Sequence, residues 1–312
     1  MWCNICMKVG IIGNGTHSKR IQKILKKIGI NFFIYKPNNP SYYNKKDFEK
    51  IKKNKIIFIL SPNHTHFNYI KKLYKNRYIF CEKPPVIKKK ELIMLKKIPY
   101  GKIYFNYNFR FLKISKVLGL SQKYNLKNLV YANILEGHGL SLKKEYKKSW
   151  RSSKIKCPKG VFEIVSIHWI DLINYHYKIK KIERPELINH SKIGTSFDTS
   201  HIKLTLNNNA IINIFSSYRT PLIKKILFVF ENGIIEHSEN YIEIQGPAIN
   251  LDKNRFFKKP KLIEKIFVSE LKDYENSLLK SVNFFLKISK NKKKFSKKLF
   301  NCSLDSNAHI LR

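Results

Sequence analysis

Short apolar runs alternate with basic, amphipathic stretches from Met7 to about Phe111. The runs Lys8–Ile12, Asn31–Tyr35, Ile56–Leu60, Tyr78–Cys81 and Ile103–Phe105 have the length of strands and predict buried ones. Ser18–Lys27, Lys45–Lys53, Phe67–Tyr74 and Lys88–Ile98 fall between them as basic helices. Strand and helix in alternation predict parallel strands joined by crossover helices, a doubly wound, Rossmann-like sheet. Beyond Lys127 the pattern changes to longer strands separated by turn signals: Leu129–Leu135, His201–Leu206, Ala210–Ser217, Lys225–Phe230 and Tyr241–Gln245. Asn207-Asn208-Asn209 and Asn232-Gly233 predict hairpins of the kind that tolerate positive φ. Two further helices are expected, Glu163–Tyr177 and Ser269–Ile288, and helices on one face of the antiparallel sheet would leave its other face free to pack or oligomerise. The fold class is therefore α/β: a Rossmann-like domain over residues 1–122 and, over 123–312, an α+β domain with a large, mainly antiparallel open sheet. A chain of 312 residues is long enough for both.

Charge changes this picture less than its size suggests. A net charge of +41 invites a nucleic-acid reading, because basic patches neutralise phosphate and release counterions. Lysine supplies almost all of it, arginine is scarce, and the lysines are spread over every segment, as an AT-rich coding sequence also produces. Nucleic acid is not the expected partner. The densest cluster, Lys290–Lys298, is expected to be a frayed helix end. No run of about eighteen uncharged apolar residues occurs, and no signal-peptide pattern opens the chain, so a soluble, cytoplasmic protein without membrane contact is expected. Met7-Lys8-Val9-Gly10 is a better opening than Met1, which makes Met1–Cys6 a short extension or a misplaced start. Five cysteines, Cys3, Cys6, Cys81, Cys157 and Cys302, are too scattered for a disulfide framework. Cys3-x-x-Cys6 lacks a second pair, so no metal site is expected.

The candidate chemistry sits at the ends of the early strands. Ligands in open α/β sheets bind beyond the carboxyl ends of the strands, which puts Lys83 of Phe80-Cys81-Glu82-Lys83-Pro84 at the rim of a site. Pro84 biases it toward extended backbone. The first strand runs into Gly13-Asn14-Gly15-Thr16-His17-Ser18. There Gly13 permits the tight turn, Gly15 lets a pyrophosphate approach, and the helix N-terminus at Thr16 and His17 offers N–H groups. Ser18 replaces the third glycine and is small enough for close helix packing. A glycine-rich turn without ligand is the alternative. The second strand ends in Tyr35-Lys36-Pro37-Asn38, where an acid usually bonds the adenosine ribose. Lys36 in that place favours a 2′-phosphate and tips the expected cofactor from NAD toward NADP. The third ends in Ser61-Pro62-Asn63-His64-Thr65-His66: Pro62 stops the strand, and Asn63 or Thr65 can cap the next helix while reaching the cofactor. Ser61, His66 and Glu82 complete the cofactor-binding candidates.

In order, Val9–Gly15, Ser61–His66, Cys81–Pro84, Tyr107-Asn108-Phe109-Arg110-Phe111, Trp150-Arg151, Gly160-Val161-Phe162 and Ile167-His168-Trp169-Ile170-Asp171 resemble a known group. It is the glucose-fructose oxidoreductase, inositol dehydrogenase and rhizopine-catabolism family of sugar dehydrogenases (Gfo/Idh/MocA), matched over nearly the whole chain. The resemblance implies hydride transfer between nicotinamide and a secondary hydroxyl or ketone of a sugar, cyclic polyol or sugar nucleotide, in a homo-oligomer, dimer or tetramer. It also implies catalytic roles for Lys83, which would contact cofactor ribose and reacting hydroxyl, and for His168 as acid or base. Without it, His168 among apolar helix neighbours reads as a core histidine.

Members with a catalytic aspartate carry it one helical turn before this histidine, where this chain has Ile164. Glu163 stands about 100° round an α-helix from that position and could substitute only if the helix begins late or is rotated. Asp171 shares the face of His168 and could orient its imidazole. Arg110 and Arg151 lie in segments the family places near the substrate, where a guanidinium can hold phosphate or carboxylate, and a structural salt bridge is the alternative for each. Glu163, Asp171, Arg110 and Arg151 are thus the substrate-side candidates. Two rival readings remain, a dinucleotide-binding protein that no longer catalyses, motivated by Ile164 and Ser18, and a basic nucleic-acid binder. Loops around Gly137–Lys159 and Lys253–Lys261 would set specificity and carry no readable code.

Overall fold

The computed structural model describes residues 8–36, 45–238, 240–247 and 251–312. Met1–Cys6, with both cysteines of the C-x-x-C pair, and the Pro37-Asn38 that follow Lys36 lie outside the described residues. The chain forms two compact units, one made of the residues up to Tyr107 with Leu278–Leu311, the other of Asn108–Ser277.

In the first unit the elements run β1 (Lys8–Ile12), α1 (Thr16–Lys27), β2 (Asn31–Tyr35), α2 (Lys45–Lys52), β3 (Ile56–Ile59), α3 (His66–Leu73), β4 (Tyr78–Glu82), α4 (Lys89–Lys96) and β5 (Ile103–Asn106). All five strands pair in parallel in the order β2-β1-β3-β4-β5. Val9, Ile11, Ile57, Phe58, Ile79 and Phe80 are fully buried, as parallel strands covered on both faces require. Because β2 and β3 flank β1, the chain changes direction beside β1, and ligands of such sheets bind at that switch point.

The second unit contains α5 (Lys113–Gly119), β6 (Leu129–Gly137), α6 (Ile167–His176), β7 (Ile179–Ile182), β8 (Glu186–Ile188), β9 (Thr199–Leu206), β10 (Ile211–Ser217), β11 (Ile223–Phe230), β12 (Gly233–Ser238), β13 (Tyr241–Gln245) and β14 (Leu262–Phe267). Its nine-stranded sheet has the order β14-β13-β12-β11-β6-β10-β9-β7, with β8 also on β9, and is antiparallel except where β6 meets β10. Strict alternation puts Ile202, Leu204, Ile212, Ile214, Ile226, Phe228, Ile242 and Ile244 on the buried face.

Both expected hairpins form, joining β9 to β10 and β11 to β12. Asn209 has the positive φ, +65°, foreseen for the first. At the second the glycine serves a different need: a Cβ on Gly233 would stand 2.4 Å from the Gln245 carbonyl oxygen of β13.

Two helices close the chain, α7 (Glu270–Lys290) and α8 (Lys297–Ile310). The basic run Lys290–Lys298 is not the frayed end expected. It is a linker that ends where the Ser296 hydroxyl accepts the Leu299 N–H at 3.2 Å and starts α8. Phe285 of α7 packs against Phe58, Phe80 and Tyr104, so this C-terminal segment belongs to the parallel sheet's core, and the first compact unit is not the simple span 1–122. Among the described residues no helix is long and apolar enough to cross a membrane.

Candidate active site

At the end of β1, Gly13 has φ +106°, and a Cβ there would stand 2.6 Å from the Leu60 carbonyl oxygen. Only glycine fits. Gly15 immediately precedes α1, and a Cβ on it would meet nothing within 4 Å, so packing of the protein does not demand glycine there. The space beside this helix N-terminus is open, Gly15 and Thr16 are exposed, and the first turn carries no acid. Such a place suits a pyrophosphate. Ser18 is buried and donates to the Gly13 carbonyl at 2.9 Å, while Gln22 Nε2 donates to Asn14 Oδ1 and to Ser18 Oγ, each at 3.0 Å. The serine in place of the third glycine therefore fastens the loop.

The ends of β3 and β4 are tied to this loop and to each other. Thr65 donates to the Pro62 carbonyl at 2.7 Å, and its hydroxyl lies 2.6 Å from Ser61 Oγ. Asn63 Oδ1 accepts the His64 N–H at 2.9 Å. Contrary to expectation, the Thr65 side chain does not cap α3; a short 3₁₀ turn over Asn63–Thr65 leads into the helix and turns the hydroxyl back toward the strand end. His66, foreseen at the cofactor, is a buried brace instead, with Nδ1 2.8 Å from the Pro84 carbonyl and Nε2 2.8 Å from the Ser61 carbonyl. Burial lowers its pKa more than the two carbonyls raise it. A neutral imidazole has one N–H to offer the two carbonyls.

Glu82 Oε1 accepts from His17 Nε2 at 2.8 Å and from Asn106 Nδ2 at 2.6 Å. Burial pushes this carboxyl up, but the His17 charge, the bonds from His17 and Asn106 and the nearby Lys83 together outweigh it and hold the pKa below the usual range. Glu82 thus joins the glycine loop to β5. Lys83 follows directly, half-buried at the rim. Behind it Asn307 of α8 clamps the strand-end segment, accepting the Val86 N–H at 3.0 Å and donating to the Val86 carbonyl at 3.1 Å. Asn307 carried no signal in the sequence, because only the tertiary return of α8 brings it here. Lys36 stands exposed just after β2.

In the second unit the two arginines part company. Arg110 Nε donates to Asp171 Oδ2 at 2.8 Å and Nη2 to Oδ1 at 2.5 Å, a forked ion pair with both side chains buried. That is the structural salt bridge, and both Asp171 oxygens, expected to serve the His168 imidazole, accept from Arg110. His168 is placed by a ring stack on Phe109, with centroids 4.1 Å apart and planes 12° apart. Arg151 lies half-exposed with its guanidinium over the Trp150 ring at 4.5 Å.

The helix foreseen as unbroken from Glu163 is not uniform. Phe162–Ser166 form a wide π turn, with the Ile167 N–H reaching back five residues to the Phe162 carbonyl, and α6 begins only after it. In such a turn the residue stacked one turn back is five away, not four. Glu163, five before His168, therefore comes toward the place that Ile164 would hold in an α-helix, and Ile164 packs against Tyr146, Val161, Val165 and Tyr218 instead. Burial, then the Glu163 carboxylate, raises the Cys157 thiol pKa, which places that carboxylate beside Cys157. Among the described residues no group of three or more His, Cys, Asp or Glu side chains is placed to hold a metal.

No profile of a known protein family matches the chain. The chain is 25% identical to the glucose-6-phosphate 3-dehydrogenase of Bacillus subtilis (strain 168) over 248 residues, 67% of each protein. Solved structures superpose over nearly the full length. A levoglucosan dehydrogenase in complex with NADH and levoglucosan matches 97% of this chain and 96% of its own, with a TM-score of 0.78 at 13% identity. A dehydrogenase (MviM) from Clostridium difficile covers 98% of both chains with a TM-score of 0.68 at 18% identity. GenD2 from gentamicin A biosynthesis, in complex with NAD, matches 97% of this chain and 92% of its own, with a TM-score of 0.74 at 10% identity. This chain has the fold of these dehydrogenases. Its parallel sheet followed by a mostly antiparallel one accounts for the likeness.

Proposed function

We propose that this protein is an NAD- or NADP-dependent oxidoreductase of the Gfo/Idh/MocA type, acting on a secondary hydroxyl or ketone of a sugar, cyclic polyol or sugar nucleotide. The observation that carries the reading is the pair of glycines. Gly13 is required by the protein's own backbone, whereas Gly15 faces open space at a helix N-terminus, as a loop built around a pyrophosphate would. Asn14 and the N–H groups of Thr16 and His17 would hold the phosphates, Ser61, Pro62 and Asn63 would border the dinucleotide, and exposed Lys36 would favour a 2′-phosphate. The sugar dehydrogenase at 25% identity and the NADH and NAD complexes of the structural relatives support the same class.

When bound, the nicotinamide would supply the redox chemistry. The chain's share is position and proton handling. Lys83, held by Pro84 and backed by Asn307, would contact the substrate oxygen and stabilise its charge. His168, fixed by Phe109, would take or give the hydroxyl proton, and Glu163, brought round by the π turn, would support it in place of the family's aspartate. Assembly into dimers or tetramers through the open face of the nine-stranded sheet, in the cytoplasm, belongs to the same reading.

Absorbance monitoring of nicotinamide reduction against a panel of sugars, sugar phosphates and sugar nucleotides tests it. Lys83→Ala is expected to lower turnover by about a thousandfold and Glu163→Gln by about a hundredfold, both with cofactor affinity kept. Near-normal turnover in Lys83→Ala would rule out its role, and tight cofactor binding with no turnover on any substrate would favour a protein that only binds the dinucleotide.

A further inference from the structure

A small hairpin over residues 251–257 of the second unit precedes β14. Leu251 and Phe257 pair as an antiparallel bridge. Inside it the Asp252 N–H donates to the Phe256 carbonyl at 2.9 Å, and the Arg255 N–H to the Asp252 carbonyl at 3.1 Å. The Asp252 carboxylate closes the turn, its Oδ1 accepting the Asn254 and Phe256 N–H groups at 2.8 and 2.9 Å. The tip is thus held by its own hydrogen bonds, yet its apolar side chains are left in water. Phe257 is 92% exposed, the most of any large apolar side chain among the described residues, and Phe256 is 68% exposed. Successive residues of an extended ribbon point to opposite faces, so the rings cover both sides of the tip, with Leu251 beside Phe257. Apolar side chains gathered at one exposed tip mark a contact surface, whereas singly scattered ones do not.

The charge around this tip has one sign. Lys253, Arg255, Lys258, Lys259 and Lys261 are all exposed, and the acid between them and Leu251, Asp252, is occupied by the turn. Behind the tip, Phe257, Val229, Phe230, Ile234 and Pro260 line a cleft of about 360 Å³, with Lys258 and Lys259 in its wall. A second copy of the hairpin would bring five cations against five. Nucleic acid would use the rings and the cations, since bases stack on aromatics, but would gain nothing from aliphatic groups. Here Leu251, Leu262 and Ile263, 40%, 54% and 45% exposed, accompany the rings. A wedge apolar on both sides and surrounded by lysine fits a hydrocarbon layer beneath anionic headgroups.

We propose that this hairpin is a peripheral membrane contact. Phe256, Phe257 and Leu251 enter the acyl boundary of an anionic lipid surface, and Lys253, Arg255, Lys258, Lys259 and Lys261 stay at the level of the phosphates. The contact is reversible, because a few side chains and charges hold far less firmly than a spanning helix. It needs none of the spanning helices that the described residues lack, and it replaces the expectation of a protein without membrane contact. It does not depend on the dehydrogenase reading.

The test uses the full chain with vesicles of phosphatidylcholine alone or with about one-third phosphatidylserine. A chain of net charge +41 is attracted to any anionic surface, so co-sedimentation with vesicles is not enough by itself. Phe257→Trp supplies a local reporter, read against the tryptophans of the unsubstituted chain. On the phosphatidylserine vesicles its emission is expected to shift to the blue and to be quenched about twofold by lipids brominated on the acyl chains, with neither change on phosphatidylcholine alone. Phe256→Ser combined with Phe257→Ser should lower vesicle affinity about a hundredfold at unchanged net charge and melting temperature. Vesicle binding that is unaltered in this double variant, or that leaves the reporter unquenched, would overturn the proposal and leave only attraction to the lysine-rich surface. A blue shift produced by single-stranded DNA and not by vesicles, or by raising the protein concentration alone, would overturn it in favour of nucleic acid or of a second copy.

Discussion

The loops of the first unit and the packed pair Tyr146 and Tyr218 in the second treat polar side chains in opposite ways. At the ends of β1, β3 and β4, Ser18, Gln22, Thr65, His66, Glu82 and Asn106 are hydrogen-bonded within and between the loops, and open space lies beside Gly15. In the second unit the hydroxyls of Tyr146 and Tyr218 are buried without a hydrogen-bond partner. A cradle that must accept one unchanging ligand can be completed in advance by the protein. Buried hydroxyls left without a partner, by contrast, each forfeit a bond they had in water.

The sharpest way to break the comparison is to undo a finished interaction in the second unit. Arg110→Met leaves Asp171 buried without its cation and should cost roughly 3–5 kcal/mol in urea unfolding, most of it recovered in the double variant with Asp171→Leu. A loss below about 1 kcal/mol would show that the fork is not what holds this region.

The glycines separate frame from ligand site. Gly13→Ala forces a left-handed backbone and a clash with the Leu60 carbonyl, so it should lower stability by about 1–3 kcal/mol and weaken the cofactor with it. Gly15→Ala, with empty space around its Cβ, should leave the melting temperature nearly unchanged and still weaken cofactor binding. Equal loss of stability in both would erase the distinction.

Smaller effects come from two histidines of the second unit, buried His237 and half-buried His176. Burial, with Lys224 for His237 and Arg110 for His176, lowers each pKa from 6.5 to about 4. The unfolded chain then binds more protons between those values, so the stability these residues contribute is complete above pH 6.5 and is lost as pH falls toward 4. The slope should approach about 1.4 kcal/mol per pH unit for each proton taken up. His237 is 2% exposed and neither ring nitrogen has a hydrogen-bond partner, so His237→Leu should be neutral or stabilising at pH 7 and should flatten the acid limb. Chemical denaturation across that range measures both.

The parallel sheet was legible because its strands are short, mostly apolar and punctuated by Gly13, Pro62 and Pro84. Strands β7 and β14 were not, since Lys180, Lys181, Glu264 and Lys265 give them no apolar face, and β14 is an exposed edge. Helix α8 hid behind a run of lysines until Ser296. In the site, residue types pointed correctly to a loop at a helix N-terminus, but not to which members brace and which face outward. His66 and Glu82 look like ligand contacts in one dimension and prove to be ties between loops. The place of Glu163 stayed conditional on where the helix begins, because 3.6-residue periodicity cannot anticipate a π turn. Arg110 and Arg151 became distinguishable only when Asp171 was seen to take the first.

The most direct test of the central claim is a calorimetric titration of the full chain with NAD and with NADP. The account predicts one site per chain, tighter for NADP while Lys36 is present, and weakened in Gly15→Ala without loss of fold. No binding of either dinucleotide to the folded protein would contradict it.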